Sequence, residues 1–392
     1  MHLVRALKEV IDGLDLSGVE GLYDDKGGYA YEPKAMLGVL LYGLIDGERS
    51  SRRIQEHCRF DARYRFLCGA HQPDDRTICR FRRRLAPVLP DLFAQILRIA
   101  RDRGMVKMQV VAVDGTRVAG NVQQWRKILS EAEDEDAADP ECRTMKTRRG
   151  YINGYNAQAA ADADTGIILA AQVFDDGTDY RLLPQVVDCL EVNMGEVPAA
   201  IVADKGYDST ENATMLESRG IDSYLHPRGK EAEFWDFAED GGIVCPRGHG
   251  LVRRDTFLRR GARQLRMYVR ECPKCPDRRV CHGGQYKYLS IPEGLDLAAR
   301  IRNAQRCRSP EGERILRIRG PGIETVFGQL KWNKGFRRFR LRGIRAVNSE
   351  FQLECLAHNL QKVLRDLLCL LRVLRILGVG VQPAPATILS PA

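Results

Sequence analysis

Two short runs of small and β-branched residues constrain this chain more than any other feature. KMQVVAVDG (107–115) and VPAAIVADKGY (197–207) lack the apolar–polar alternation of a half-exposed strand, so both read as buried strands. Each closes on an aspartate, Asp114 or Asp204, with a glycine just beyond. Between them, NGYNAQAAADADTGIILAAQVF reads as two strands joined by a turn at Asp164-Thr165-Gly166, and YRLLPQVVDCLEVNM as a helix. STENATMLESRG, after the second run, is a further helix ending at Gly220. Strands followed by alternating strand and helix predict a mixed α/β core from about 106 to 226.

The flanks differ in texture. Apolar residues recur at helical spacing in MHLVRALKEVIDGL, KAMLGVLLYGLI and LPDLFAQILRIA, so residues 1–104 are expected to form an all-helical domain. Asp74-Asp75-Arg76-Thr77 after Pro73 marks a helix start, followed by the basic TICRFRRRL. Residues 105–228 hold the first part of the core. Residues 229–310 have no helical period and contain clustered cysteines, so they read as an inserted Cys-rich subdomain without an obvious core. Helices return over 311–378, completing the core, and 379–392 reads as a disordered tail. The stretch 131–141 carries seven acids and no base, an exposed loop by composition.

No apolar run suggests a membrane span: Met36–Ile45 is short, and Arg372 and Arg375 interrupt Leu364–Leu377. The first residues lack a signal-peptide layout, which predicts a cytoplasmic protein. At 44% hydrophobic and 29% charged, the chain is not of a disordered or fibrous class.

The net charge of +9 sits in two places. Residues 314–345 hold ten bases and one acid, Glu324, with Trp332, Phe336 and Phe339 interleaved; residues 50–84 hold ten arginines and four acids. Such concentration suits a nucleic-acid backbone, with aromatic rings packing or stacking on unpaired bases. Lys331, Lys334, Arg337, Arg338 and Arg340 in the first stretch, and Arg80, Arg82 and Arg83 in the second, are the candidate contacts.

Glu324 lies in GIETVFGQL, read as an amphipathic helix, seven residues before Lys331 and so on the same face. In α/β sheets functional groups gather beyond the carboxyl ends of strands. Asp114, Asp204 and Glu324 would there form an all-oxygen cluster suited to Mg²⁺ or Mn²⁺, able to hold two ions about 3.5–4 Å apart. The plain alternative is that each aspartate only closes a turn. Cys245, Cys272, Cys275 and Cys281, with His249 and His282 as alternatives, have the make-up of a structural Zn²⁺ site; metal-free reduced thiols are the competing reading.

These motifs resemble those of bacterial insertion-sequence DDE transposases. Val113-Asp114-Gly115-Thr116, Asp204-Lys205-Gly206-Tyr207 and Glu324 with Lys331 occur in the family's order. GQLKWNKGFRRFRLRGIRAVNSEFQLECLAHNLQKV is similar to the end of its catalytic domain, and HQPDDRTICRFRRRL to its DNA-binding domain. The resemblance spans roughly residues 25–370. It implies an RNase H-like mixed sheet flanked by helices, and metal-dependent cleavage and transfer of DNA strands at terminal inverted repeats. A homodimer on double-stranded DNA and a nucleoid-associated location in the cytoplasm follow from it. It also implies that Asp114, Asp204 and Glu324 hold Mg²⁺ while Lys331 and Tyr207 contact DNA. The chain departs from the family at Arg317 and Gly320, where relatives often carry Tyr and Arg. Gly320-Pro321-Gly322 is expected to break the helix before Glu324, with Arg317 or Arg319 substituting for the missing partner. A catalytically inactive DNA-binding regulator and an RNase H-like nuclease without strand transfer remain the alternative functions.

Overall fold

The computed structural model describes residues 2–23, 31–69, 71–122, 139–147, 150–228, 235–238, 241–259, 261–293 and 297–376. Residues 131–138 of the acidic stretch and the tail 379–392 lie outside the described residues. Every described element before residue 103 is a helix, from Leu3–Asp12 to Leu89–Asp102. Met36–Ile45 is buried throughout within the helix Pro33–Asp46, as its unbroken apolar run requires. Asp74 caps the helix Asp75–Arg84 by accepting from the Thr77 amide at 2.6 Å.

The core is a mixed sheet of β1 (Val110–Ala119), β2 (Arg143–Thr147), β3 (Gly150–Asp162), β4 (Ile168–Phe174), β5 (Ala200–Ala203) and β6 (Asp222–Leu225). Its order is β2-β3-β1-β5-β6, with β4 also paired to β3. β1, β3 and β4 are antiparallel neighbours; β5 and β6 run parallel to β1. The strands at 110–119, 150–162 and 168–174 lie where the sequence places them, although β1 continues past Asp114 to Ala119.

The helix Ile344–Ile376 closes one face and satisfies exposed backbone on β4. Asn359 exchanges two hydrogen bonds with Ile168, at 2.8 and 2.7 Å, and Asn348 accepts from the Val173 amide at 2.9 Å. The end of the acidic stretch is not an exposed loop. Asp139 is buried and accepts from the Tyr155 hydroxyl at 2.6 Å, while Glu141 accepts from the Ile344 amide at 2.7 Å at the start of this helix.

Gly320-Pro321-Gly322 does not break the chain out of its helix. Pro310–Arg319 runs on through a π-helical turn, Gly320–Glu324, then Thr325–Gly328 and a second π-turn, Gln329–Asn333. A wider turn accommodates a proline that an α-turn would exclude. Gly322 brings this segment against the sheet: a Cβ there would fall 3.1 Å from the Ala163 carbonyl oxygen.

The inserted region has a small core of its own, with Trp235, Val269, Leu289, Ile291, Leu297 and Ile301 packed together. The expected lack of helical period does not hold in its last residues. Ala298–Arg308 is a helix on the edge of the main sheet, where Asn303 exchanges two 2.8 Å hydrogen bonds with Leu225 of β6.

The helical domain is joined to the core by a buried ion cluster. Arg49, 6% exposed, pairs with Glu350 at 2.6 Å and Glu354 at 2.5 Å, donates to the Arg338 carbonyl at 3.1 Å, and lies over the Phe336 ring. Arg49→Ala strands both carboxylates in the interior and is expected to cost about 3–5 kcal/mol. Denaturant unfolding checks this; a loss below about 1 kcal/mol would show that the cluster contributes little.

Candidate active site

Strand register brings the two aspartates together. β1 and β5 pair in parallel with Val113 opposite Ala203, so Asp114 and Asp204 are the next residues along neighbouring strands. Asp114 accepts from the Gly115 amide at 2.8 Å and Asp204 from the Gly206 amide at 2.7 Å, which turns each carboxylate back over its strand end. Glu324 arrives from the other direction, on the π-turn that Gly322 seats against the sheet.

Arg319 connects the two sides. Its guanidinium lies 3.3 Å from Asp114 Oδ2 and 2.7 Å from Glu324 Oε1. Of the two arginines expected to substitute for the missing family partner, this one reaches the site; Arg317 pairs with Glu313 on the surface. Burial lifts the Asp114 carboxyl to about 6, with Asp204 and Asp179 adding to the rise, while the Gly115 amide and Arg319 oppose it.

Asp179, in the segment linking β4 to the helix Leu183–Met194, is a fourth acid that composition and spacing do not flag. Arg117, Asn156 and Gln158 all donate to it. Its one sequence signal is its place beyond the end of a strand, in DDGTD.

Tyr207 is not a surface contact. It is fully buried and its hydroxyl donates to Gln158, because the chain after Asp204 turns inward beneath the acids. Lys331 is half-buried and donates to the Arg117 carbonyl at 2.9 Å. Burial, with help from Arg117, lowers its pKa, and the charge on Asp114 opposes that.

The basic stretch divides by direction. Arg337, Arg338 and Arg340 are exposed, and Arg337 stacks 4.0 Å over the ring of Trp332, itself 61% exposed. Lys334 faces inward: it is 4% exposed, its amine has no hydrogen-bond partner, and burial lowers its pKa to about 8. Phe336 and Phe339 are core residues unable to stack on bases. In the helix Asp75–Arg84, Arg80 and Arg83 are exposed. Arg82 lies on the inner face with Ile78 and Phe81 and donates to the Arg49 carbonyl at 3.2 Å.

Cys245, Cys272, Cys275 and Cys281 line one cavity of about 370 Å³ with His249, His282 and Lys287. The Cys272 sulfur accepts from the Lys287 amide at 3.3 Å. Among the described residues, however, no three His, Cys, Asp or Glu side chains form a set that could hold a metal ion. Cys245 and Cys272 also belong to the small apolar core of the inserted region, so these two thiols pack there as well as lining the cavity. At the acids, Arg319 lies between Asp114 and Glu324.

The raised Asp114 pKa predicts a pH signature. A carboxyl at 3.8 when unfolded and about 6 when folded leaves stability unaffected below pH 4 and removes up to about 3 kcal/mol as pH rises to 6. Asp114→Asn removes that dependence. The variant's Tm should therefore gain on that of the native protein between pH 4 and 6.5, and a pH-independent difference would refute the shift.

Two sequence-family profiles match the chain: "Transposase domain (DUF772)" over residues 1–84 and "Transposase DDE domain" over residues 244–364. No curated protein matches it. The first profile covers the helices carrying Arg80 and Arg83; the second contains Glu324, Lys331 and the basic stretch. With Asp114 within β1 beside Asp204 just past β5, and Glu324 tied to Asp114 through Arg319, the chain belongs to the insertion-sequence DDE transposases.

Proposed function

We propose that the chain binds the terminal inverted repeats of its element and cuts and joins DNA strands at Asp114, Asp204 and Glu324. The observation that carries this is the pair of aspartates just past the β1–β5 pairing, one sharing a guanidinium with Glu324. In this reading the antiparallel β1, β3 and β4 followed by parallel β5 and β6 are an RNase H-like sheet.

By its oxygen chemistry the donor set suits hard divalent cations once Arg319 moves aside. All three side chains offer oxygen, and Arg319 already places a positive charge between two of them, as a stand-in for a cation. Two Mg²⁺ or Mn²⁺ ions there would activate the attacking oxygen and stabilise the leaving one. The chain's own residues do the remaining work. The Gly115 and Gly206 amides aim the aspartates, and Gly322 lets the Glu324 segment approach. Arg319, once released, and Lys331 are cations at hand for substrate phosphate. Arg337, Arg338 and Arg340 line the approach of the DNA backbone, with Trp332 offering a ring to an unpaired base. Arg80 and Arg83 face outward to meet the repeat, and a dimer would hold paired ends on DNA in the nucleoid.

One observation favours a second reading: Arg319 neutralises part of the acid cluster, as expected of an inactive DNA-binding regulator. Incubating the protein with repeat-end DNA and Mg²⁺ separates the readings. Cleaved and joined products are expected, falling on the order of 10³-fold in Asp114→Asn, Asp204→Asn and Glu324→Gln. Nicks without joined products would indicate a nuclease. Binding without Mg²⁺-stimulated nicking would indicate the regulator, and activity surviving any of the three substitutions would refute the site. Arg337→Ala and Arg340→Ala should weaken binding at all sequences, each lowering the salt slope by about one.

A further inference from the structure

Asp179 belongs to the site without being able to ligate. Its Oδ1 accepts from Asn156 at 2.8 Å and Gln158 at 2.9 Å, and its Oδ2 from two Arg117 nitrogens, each at 3.1 Å. Four donors leave it little capacity for a cation. It nevertheless stands against both strand ends. A Cβ on Gly115 would fall 2.9 Å from its Oδ1; one on Gly206 would fall 3.5 Å from its Oδ2 and 2.7 Å from Asp204 Oδ1. Through Gln158 it also holds the hydroxyl of Tyr207, which anchors the turn that presents Asp204.

Charge gives this arrangement a purpose. Arg117 lies on β1 three residues past Asp114, and its side chain is 21% exposed. Asp179 Oδ2, the atom that holds this guanidinium, is also the one 3.5 Å from a Cβ on Gly206, so an unpaired Arg117 would add its charge beside the turn that carries Asp204. Asp179, 17% exposed, engages it in a two-pronged pair and cancels it.

We propose that Asp179 is a positioning residue for cation loading: by pairing with Arg117 it keeps that guanidinium off Asp114 and Asp204, so that a divalent cation meets an uncompensated carboxylate pair. The inference rests on the carboxylate-site reading above.

The test is calorimetric titration of Mn²⁺ into the full-length protein, with circular dichroism to check folding. Asp179→Asn should raise the Mn²⁺ dissociation constant about tenfold, because it frees the charge of Arg117. Arg117→Gln should lower it by a comparable factor, because it leaves Asp179 anionic. The double variant should return to within about threefold of the native protein. A purely structural role would make both single variants bind more weakly and the double weaker still; that result overturns the inference. A dissociation constant within twofold of native for Asp179→Asn also overturns it, with the site intact. Native Mn²⁺ uptake that persists unchanged in Asp114→Asn would instead refute the carboxylate site, and this inference with it.

Discussion

The shared grip of Arg319 on Asp114 and Glu324 is the interaction on which the remainder of the site depends. Asp114, buried on β1 beside Asp204, loses hydration and is repelled by that second acid, which is why it titrates well above an ordinary carboxyl. A fold that keeps such a pair must bring a cation to it. Here the cation is Arg319, the last residue of the helix Pro310–Arg319. The π-turn that follows, seated on the sheet by Gly322, carries Glu324, and π-turns inside α-helices are frequent at functional sites.

A second charge arrangement, remote from the acids, sets the surface around them. Arg49 bridges the helical domain to Glu350 and Glu354 and also holds the Arg338 carbonyl. The loop carrying Arg337, Arg338 and Arg340 is then fixed on the end of β1, where the Ala119 amide donates to the Arg337 carbonyl and the Phe339 amide to that of Ala119. The exposed arginines and the carboxylates are thereby referred to the same strand. In the proposed function, DNA held by the arginines would thereby be presented to the carboxylates.

Much of this was legible in the residues. Two buried apolar runs leading to aspartates, a capped basic helix at Asp74 and a lone glutamate among ten bases mark the core, the helical domain and the third acid. What eluded reading was direction. A count of bases does not separate Arg83, outside, from Arg82, inside, nor Arg340 from Lys334, because an amphipathic segment turns some of its charges inward. Tyr207 fails as a DNA contact for the same reason: the residue after a strand-end turn can fold beneath it. Asp179 was silent because its importance lies in partners 21 to 62 residues away, which only sheet pairing assembles. The end of the acidic stretch reads as loop by composition, yet Asp139 and Glu141 are used as internal acceptors.

In the proposed function, Arg319 holds the place of a divalent cation between the acids. Anomalous diffraction from crystals of the full-length protein grown with Mn²⁺ tests it most directly. The account predicts Mn²⁺ density bounded by Asp114, Asp204 and Glu324, with Arg319 withdrawn from both of its partners. Arg319 still bridging Asp114 and Glu324, with no Mn²⁺ between the acids, would contradict it.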